Sequence, residues 1–382
     1  MDEVRQAILE ELRRTKGPVS IHVERDEEDK FRDAASDALL MRAGIEVEKP
    51  AEGARELMGL RLRDMAIEAM ERGESGFNRR ISDDELYSGL TRQFYNPSAA
   101  FPSIMDQTIR KSYESGYQKA GVTFDRWTGK GVLTDFKTTQ AGYLVGSAGE
   151  LLLVPESGEL KHDTPTDHRT PTRKLETYGR QFTMSRQAFI NDDIGFLTTV
   201  PARYASSSRK TINKQVYGLL LKNPKIYDGV PLFAEAHSNL IAAGTGVTSE
   251  AIQASILKLQ MQKDQDGDAI LVSPAYLIIP VGYGFTVRTI LDSPTIHTAE
   301  NTQAVNPLYR MSIEVIEDPT LNAMSGEGAA VPWFIAADKA DIRTIQVDYL
   351  NGQEIPNIRR SEKAGQLGFI WDVYLDWGVS VL

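Results

Sequence analysis

Five histidines, His22, His162, His168, His237 and His297, are the side chains of this 382-residue chain best suited to bind a transition metal or carry a proton near neutral pH. They are dispersed, and neither an H-x-x-x-H nor an H-E-x-x-H spacing occurs to place two of them on one helix face. His162 and His168 fall in a polar, proline-flanked stretch that reads as a solvated loop. His237 follows Phe233-Ala-Glu-Ala236 in a turn, where a structural hydrogen bond is the expected role.

Three glycine or carboxylate patterns would do chemistry if their spacing were right. Asp264-Gln-Asp266-Gly-Asp268 resembles a calcium loop, but its glycine comes two places early and Ala275 stands where a bidentate glutamate is needed. A turn between helix and strand is the expected structure. Gly129-Lys130 lacks the upstream glycine of a phosphate-binding loop, since Phe124 occupies that place. Gly282-Tyr-Gly284 lacks the third glycine and the preceding βαβ unit of a dinucleotide site. No G-x-S-x-G elbow accompanies the serines. With no cysteine, the chain forms no disulfide, no Cys-ligated zinc site, no iron–sulfur cluster and no thiol nucleophile. No catalytic, cofactor-binding or metal-ligating residue is assigned, and an enzyme is not expected.

Bulk composition points the same way. A chain that is 41% hydrophobic and 25% charged can bury a core, and its net charge of −10 is unlike the basic face built to wrap a phosphate backbone. No stretch reaches the roughly 18 to 20 apolar residues of a membrane span, and the first residues lack a secretory pattern, so membrane association is not expected.

The first 80 residues hold two aromatics, Phe31 and Phe77, among 19 acidic and 15 basic side chains. Val4, Ile8 and Leu12, then Leu57, Leu60, Met65 and Met70, recur at helical spacing, with a break at Pro50 and Gly53. The expectation is two or three amphipathic helices that cover something else and form no core of their own. Aromatics then appear, and a helix is expected over Ser103 to Ala120. Gly142 to Val145 and Glu150 to Val154 read as strand, and Glu159 to Lys174 as a polar projecting hairpin. Leu175 to Met184 alternates like a strand with one buried face, and Thr198 to Lys222 reads as a long helix with Pro201 in its first turn.

Downstream the elements alternate. A helix is expected from Ser249 to Gln262, buried strands at Ala269–Val272 and Tyr276–Pro280, a helix from Gly282 to Leu291, and strands at Met311–Ile316 and Pro332–Ala336. Two final strands, Ile342–Tyr349 and Phe369–Val381, flank a polar tip and form a long hairpin.

Several segments then resemble the major head subunit of Mu-like tailed phages, whose fold is shared by other tailed-phage coat proteins. They are Leu175-Glu-Thr-Tyr-Gly-Arg-Gln-Phe182, Ser185-Arg-Gln-Ala-Phe-Ile-Asn-Asp-Asp193, Asp228-Gly-Val-Pro-Leu-Phe233 with Ala236-His-Ser-Asn-Leu240, Pro274-Ala-Tyr-Leu-Ile-Ile-Pro280 and Asp376-Trp-Gly378. They occur in the family's order, the likeness covers about residues 80 to 382, and Leu60 to Glu71 also resembles the helical segment upstream. The chain stops at Leu382, a little before the expected ending, and residues 1 to 50 match nothing in that family.

The resemblance implies an α+β tailed-phage major capsid fold with an N-terminal arm, an extended β-hairpin loop, a peripheral domain with a long spine helix and an axial α/β domain. On that layout residues 1–75 are a charged helical segment, scaffold-like or an extended arm, and 76–146 the arm and entry to the body. Residues 147–178 are the extended loop, 179–222 the peripheral domain with its spine, 223–340 the axial domain and 341–382 the terminal hairpin. The implied function is a head protein that assembles with itself into hexamers and pentamers of an icosahedral shell around double-stranded DNA. It would be made in the bacterial host cytoplasm, alongside portal, scaffold or maturation protease and decoration proteins. Lys161 and Lys174 lie in the loop, where some relatives cross-link. The alternative is an encapsulin-like nanocompartment shell that holds cargo; an unrecognised hydrolase is a third reading, because carboxylate pairs leave no local signature.

Overall fold

The computed structural model describes residues 27–73, 78–94, 99–140, 154, 171–241, 246–263, 269–296, 303–325, 331–361 and 368–382. The chain divides into two compact units, Met1–Ile109 with Ser185–Thr198, and Arg110–Met184 with Thr199–Leu382.

The described part of the first unit is helical. Helix α1, Glu27–Arg42, starts on Glu27, Glu28 and Asp29 and ends on Arg42, charges that suit the helix dipole at both ends. It is buried from Ala34 through Leu40, and its small side chains let neighbouring backbone approach closely. The chain turns at Gly53, whose φ of +84° favours a residue without a Cβ. Helix α2, Leu62–Gly73, buries Leu62, Met65, Ala66 and Met70. The apolar stripe expected from Leu57 thus begins later: Leu57 and Leu60 precede α2 and are half-buried.

Helix α3, Asp83–Gln93, opens with a capping box. The Glu85 amide donates to Ser82 Oγ (3.3 Å) and the Ser82 amide to the Glu85 carboxylate (3.2 Å). Helix α4, Ala100–Gln118, contributes residues through Ile109 to this unit. Short helix α5, Arg186–Ile190, is capped by Ser185 and inserts Phe189 between Tyr87 and Phe101, with ring centroids 6.4 and 5.9 Å away. The N-terminal helices therefore share a core with Ser185–Thr198, where Asp192 accepts from the Leu62 amide and pairs with Arg42.

The second unit is built on a five-stranded sheet. Strand β1, Gly129–Leu133, runs parallel to β6, Ile345–Leu350, and β6 pairs antiparallel with β8, Gly368–Val381. Strand β2, Glu176–Ser185, and strand β7, Asn357–Ser361, also pair with β8. The expected terminal hairpin is therefore β6 and β8, but its polar tip carries β7 as an extra strand. Arg359 and Arg360 masked it, since charged side chains suit a sheet edge as well as a loop. In β2 only Phe182 and Met184 are buried, so the expected alternation holds in its second half alone.

Helix α6, Thr199–Lys222, buries Ile212, Val216, Tyr217 and Leu220 against Ile345, Val347, Tyr349, Leu375 and Trp377 of this sheet. A second, three-stranded sheet has β3, Pro274–Ile279, at its centre, parallel to β4, Glu314–Glu317, and antiparallel to β5, Phe334–Ala337. Successive side chains of β3 point to opposite faces. Tyr276 and Ile278 join the core of α6, and Leu277 and Ile279 pack with Ile252, Ile256, Val287 and Leu291. Those last four lie on helices α7, Ser249–Gln260, and α8, Gly284–Asp292. Thr248 caps α7 by accepting from the Ala251 amide (3.2 Å).

Candidate assembly surface

Of the residues weighed for chemistry, His22, His162, His168, His297 and Asp264–Asp268 lie outside the described residues, as do Lys161 and nearly all of the projected loop. His237 is described. Its Nε2 lies 2.6 Å from Asp228 Oδ2 and its Nδ1 3.2 Å from the Leu232 carbonyl. Partial burial alone would lower its proton affinity, but the Asp228 hydrogen bond and the backbone carbonyls outweigh this and raise its pKa above the ordinary 6.5. The Asn239 amide closes the same turn, donating to the Leu232 carbonyl (2.7 Å) and accepting from the Ala234 amide (2.9 Å). Gly129 and Lys130 lie on β1, where Lys130 Nζ pairs with Glu354 (2.9 Å). Gly282 donates its amide to Glu317 (3.1 Å), and Lys174 is exposed. Among the described residues no group of three His, Asp or Glu side chains converges as a metal site would require.

Two of the segments that carried the resemblance, Leu175–Phe182 and Asp376–Gly378, pack on one another. Tyr178 stacks on Trp377 at a centroid distance of 3.9 Å, and Thr177 Oγ1 donates to Asp376 Oδ1 (2.5 Å). A Cβ on Gly378 would lie 1.9 Å from the Lys174 carbonyl oxygen, so a glycine is required where the two strands cross so closely. Asp228 and His237 close a second such pairing within the turn after α6.

Two features of the second unit make sense at a contact with another molecule. The first is the root of the segment 141–170. Thr139–Gln140 pairs antiparallel with Thr172–Arg173, which brings the ends of that segment together. Arg173 Nε donates to Asp348 Oδ2 (2.9 Å) and its Nη2 to Asp348 Oδ1, with Asp348 fully buried in β6. Gln346 Nε2 also donates to Asp348 (2.7 Å). Gly131 leaves the room: a Cβ there would sit 2.0 Å from Asp348 Oδ1. Nothing local in the sequence links Arg173 to Asp348, so this pairing was not legible.

The second feature is apolar exposure. The antiparallel bridge of Lys263 with Ala269, and the Ile270 amide donating to the Gln262 carbonyl (3.1 Å), set Met261 opposite Leu271. Met261 is 75% exposed, Leu271 95%, and Leu257, one turn back on α7, 58%. Ala269–Val272 was expected as a buried strand, but only Val272 is buried, and the segment makes an isolated bridge in place of a ladder. Separately, Val281 and Phe285 are exposed around the start of α8, Phe285 at 86%. Clusters of large exposed apolar side chains of this kind are candidate contact surfaces.

A model of the phage capsid protein family matches residues 169–381, more than half of the chain, and the chain belongs to that family. It is a structural capsid protein, α+β in fold, that assembles with itself into the shell of a virion. Solved structures similar to it include the capsid of Ralstonia phage GP4, 11% identical over 69% of this chain and 87% of that one, TM-score 0.45. A structure from Mycobacterium phage Bobi is 12% identical over 68% and 84%, TM-score 0.44. The virus-like particle from Pyrococcus furiosus is 11% identical over 72% and 94%, TM-score 0.38. No curated protein sequence matches the chain.

Proposed function

We propose that this chain is the major head subunit of a Mu-like tailed phage or prophage, forming hexamers and pentamers of an icosahedral shell around double-stranded DNA, with no catalytic role. The family match carries this reading, and the ordered segments from Leu175 to Gly378 support the Mu-like assignment. Assembly takes place in the host cytoplasm with a portal, a scaffold or maturation protease, and decoration proteins as partners. Residues 223–340 serve as the axial domain, 179–222 and 341–382 as the peripheral domain, and 147–178 as the extended loop. Residues 1–75 act as an arm or scaffold-like segment.

A ring of identical subunits needs two different faces that meet head to tail. The Leu257–Met261–Leu271 cluster and the Val281–Phe285 cluster supply one such pair within the axial domain. The anchored Arg173 root then lets the loop bear load where it lies on a neighbour. A reconstruction of the assembled shell by cryo-electron microscopy tests the assignment. Residues 246–340 should cluster about the five- and six-fold axes, with Leu271 and Phe285 at subunit contacts. Finding that region at the capsomer edge, or those side chains in solvent, would overturn it.

A further inference from the structure

Helix α6 is the most basic of the described elements of an acidic chain. Its 24 residues, TVPARYASSSRKTINKQVYGLLLK, include Arg203, Arg209, Lys210, Lys214 and Lys222 and no carboxylate, against 53 acidic and 43 basic residues overall. One face is occupied: Arg209 pairs with Asp125 and lies 4.7 Å over the Tyr117 ring, and Tyr113 OH meets Ser208 Oγ at 2.7 Å. The opposite face is open. Arg203, Ser207, Lys210 and Lys214 are all exposed, and their spacing of four, three and four residues puts them on one stripe. From Arg203 to Lys214 the stripe is about 16 Å long at the helical rise.

Strand β2 adds a fourth cation. Phe182 packs against Tyr204, while Tyr178 stacks on Trp377, whose Nε1 donates to Gln215 Oε1 (2.7 Å), so the strand follows the helix. Arg180 lies between them on the same face of β2 and is exposed. Arg180, Arg203, Lys210 and Lys214 make no ion pair among the described residues. The strand-side carboxylates are engaged: Asp372 by Gln181 (2.7 Å), Asp376 by Thr177 (2.5 Å) and Glu176 by the Tyr178 hydroxyl (3.0 Å).

We propose that the stripe Arg180, Arg203, Lys210 and Lys214 is a binding surface for the phosphate backbone of double-stranded DNA, read without regard to sequence. It rests on the proposal that the shell encloses DNA, and it places the inward face of the subunit on the exposed side of α6. Four unpaired cations over this length match a closely spaced line of phosphates. They release counterions on binding, whereas the acidic remainder of the surface repels DNA and keeps the affinity low. Lys and Arg on a helix without any carboxylate lose nothing to internal pairing.

The test uses the full chain, kept below its assembly concentration, and a fluorescent 30-base-pair duplex followed by anisotropy across a salt series. Wild type should bind with a steep salt dependence. Lys210→Gln with Lys214→Gln should lower the slope of log affinity against log salt by about 2 and cost about tenfold in affinity at low salt. A control pair, Lys222→Gln with Lys225→Gln, lies off the stripe and should bind like wild type. No duplex binding at low salt, or equal loss in both double variants, overturns the proposal. Binding of poly-glutamate in preference to duplex also overturns it, by assigning the stripe to an acidic protein segment. Electron microscopy of the same samples keeps the two readings apart: the stripe variant should still form shells, and a wild type that binds duplex but forms none would fail the shell reading alone.

Discussion

Arg173 grips both carboxylate oxygens of Asp348, a side chain with no solvent exposure at the centre of the main sheet. Residue 173 follows the segment 141–170 and residue 348 lies within β6, so the pair ties the strand Thr172–Arg173 to the main sheet. Arg173→Leu leaves the buried Asp348 carboxylate without its guanidinium and should cost about 3–5 kcal/mol, and Asp348→Asn, which keeps a hydrogen-bonding side chain, should cost less. Because the partners form one unit, the double variant should cost less than the sum of the two. Denaturant unfolding of all four proteins measures this, and additive losses would show that the two side chains act separately.

Asp192 does comparable work in the helical unit. Its Oδ1 accepts from the Leu62 amide (2.7 Å), capping α2, and its Oδ2 pairs with Arg42, whose Nη1 donates to the Leu60 carbonyl (2.6 Å). Asp192 holds a φ of +61°, which aspartate tolerates better than most residues. Asp192→Ala removes cap and ion pair together and should destabilise the unit by about 2 kcal/mol. Hydrogen exchange over residues 27–73 should speed up, while the sheet around β6 stays protected. Unchanged exchange in α2 would contradict the role.

The His237–Asp228 pair sets a pH window. Burial disfavours each charge, but the shared hydrogen bond raises the histidine pKa above 6.5 and lowers the aspartate pKa below 3.8. The raised histidine contributes stability that is full below 6.5 and is lost as pH rises through its folded pKa. The lowered aspartate contributes stability that is present above 3.8 and is lost as pH falls through its folded pKa. The turn should therefore be firmest between about pH 4 and 6.5, and His237→Gln should flatten that dependence. An NMR titration of His237 giving a pKa below 6.5 would reverse the sign.

Leu271 separates folding from assembly. At 95% exposure it contributes little to the subunit, so Leu271→Asp should change unfolding stability by no more than about 0.5 kcal/mol. A charge in an apolar contact should nonetheless reduce the assembled fraction at least tenfold, read by sedimentation. Normal assembly of Leu271→Asp would remove this cluster from the contact.

Much of the fold was legible because its signals are local. Thr248 before α7, the apolar spacing of α6 and the apolar run of β3 each announce an element within a few residues. Ala269–Val272 misled because an apolar run says nothing of whether a partner strand exists; among the described residues it pairs through one bridge, and Leu271 is exposed. Strand β7 was hidden by its arginines. The pairs Arg173–Asp348 and Asp192–Leu62 join positions more than a hundred residues apart, where neither periodicity nor capping rules reach. The exposed Leu257, Met261, Leu271 and Phe285 were not legible, since exposed apolar side chains look in sequence like core.

Electron microscopy of the purified full chain tests the central claim most directly. The account predicts closed shells, or capsomers that close into shells as concentration rises. Monodisperse small oligomers that form neither at any concentration would contradict it.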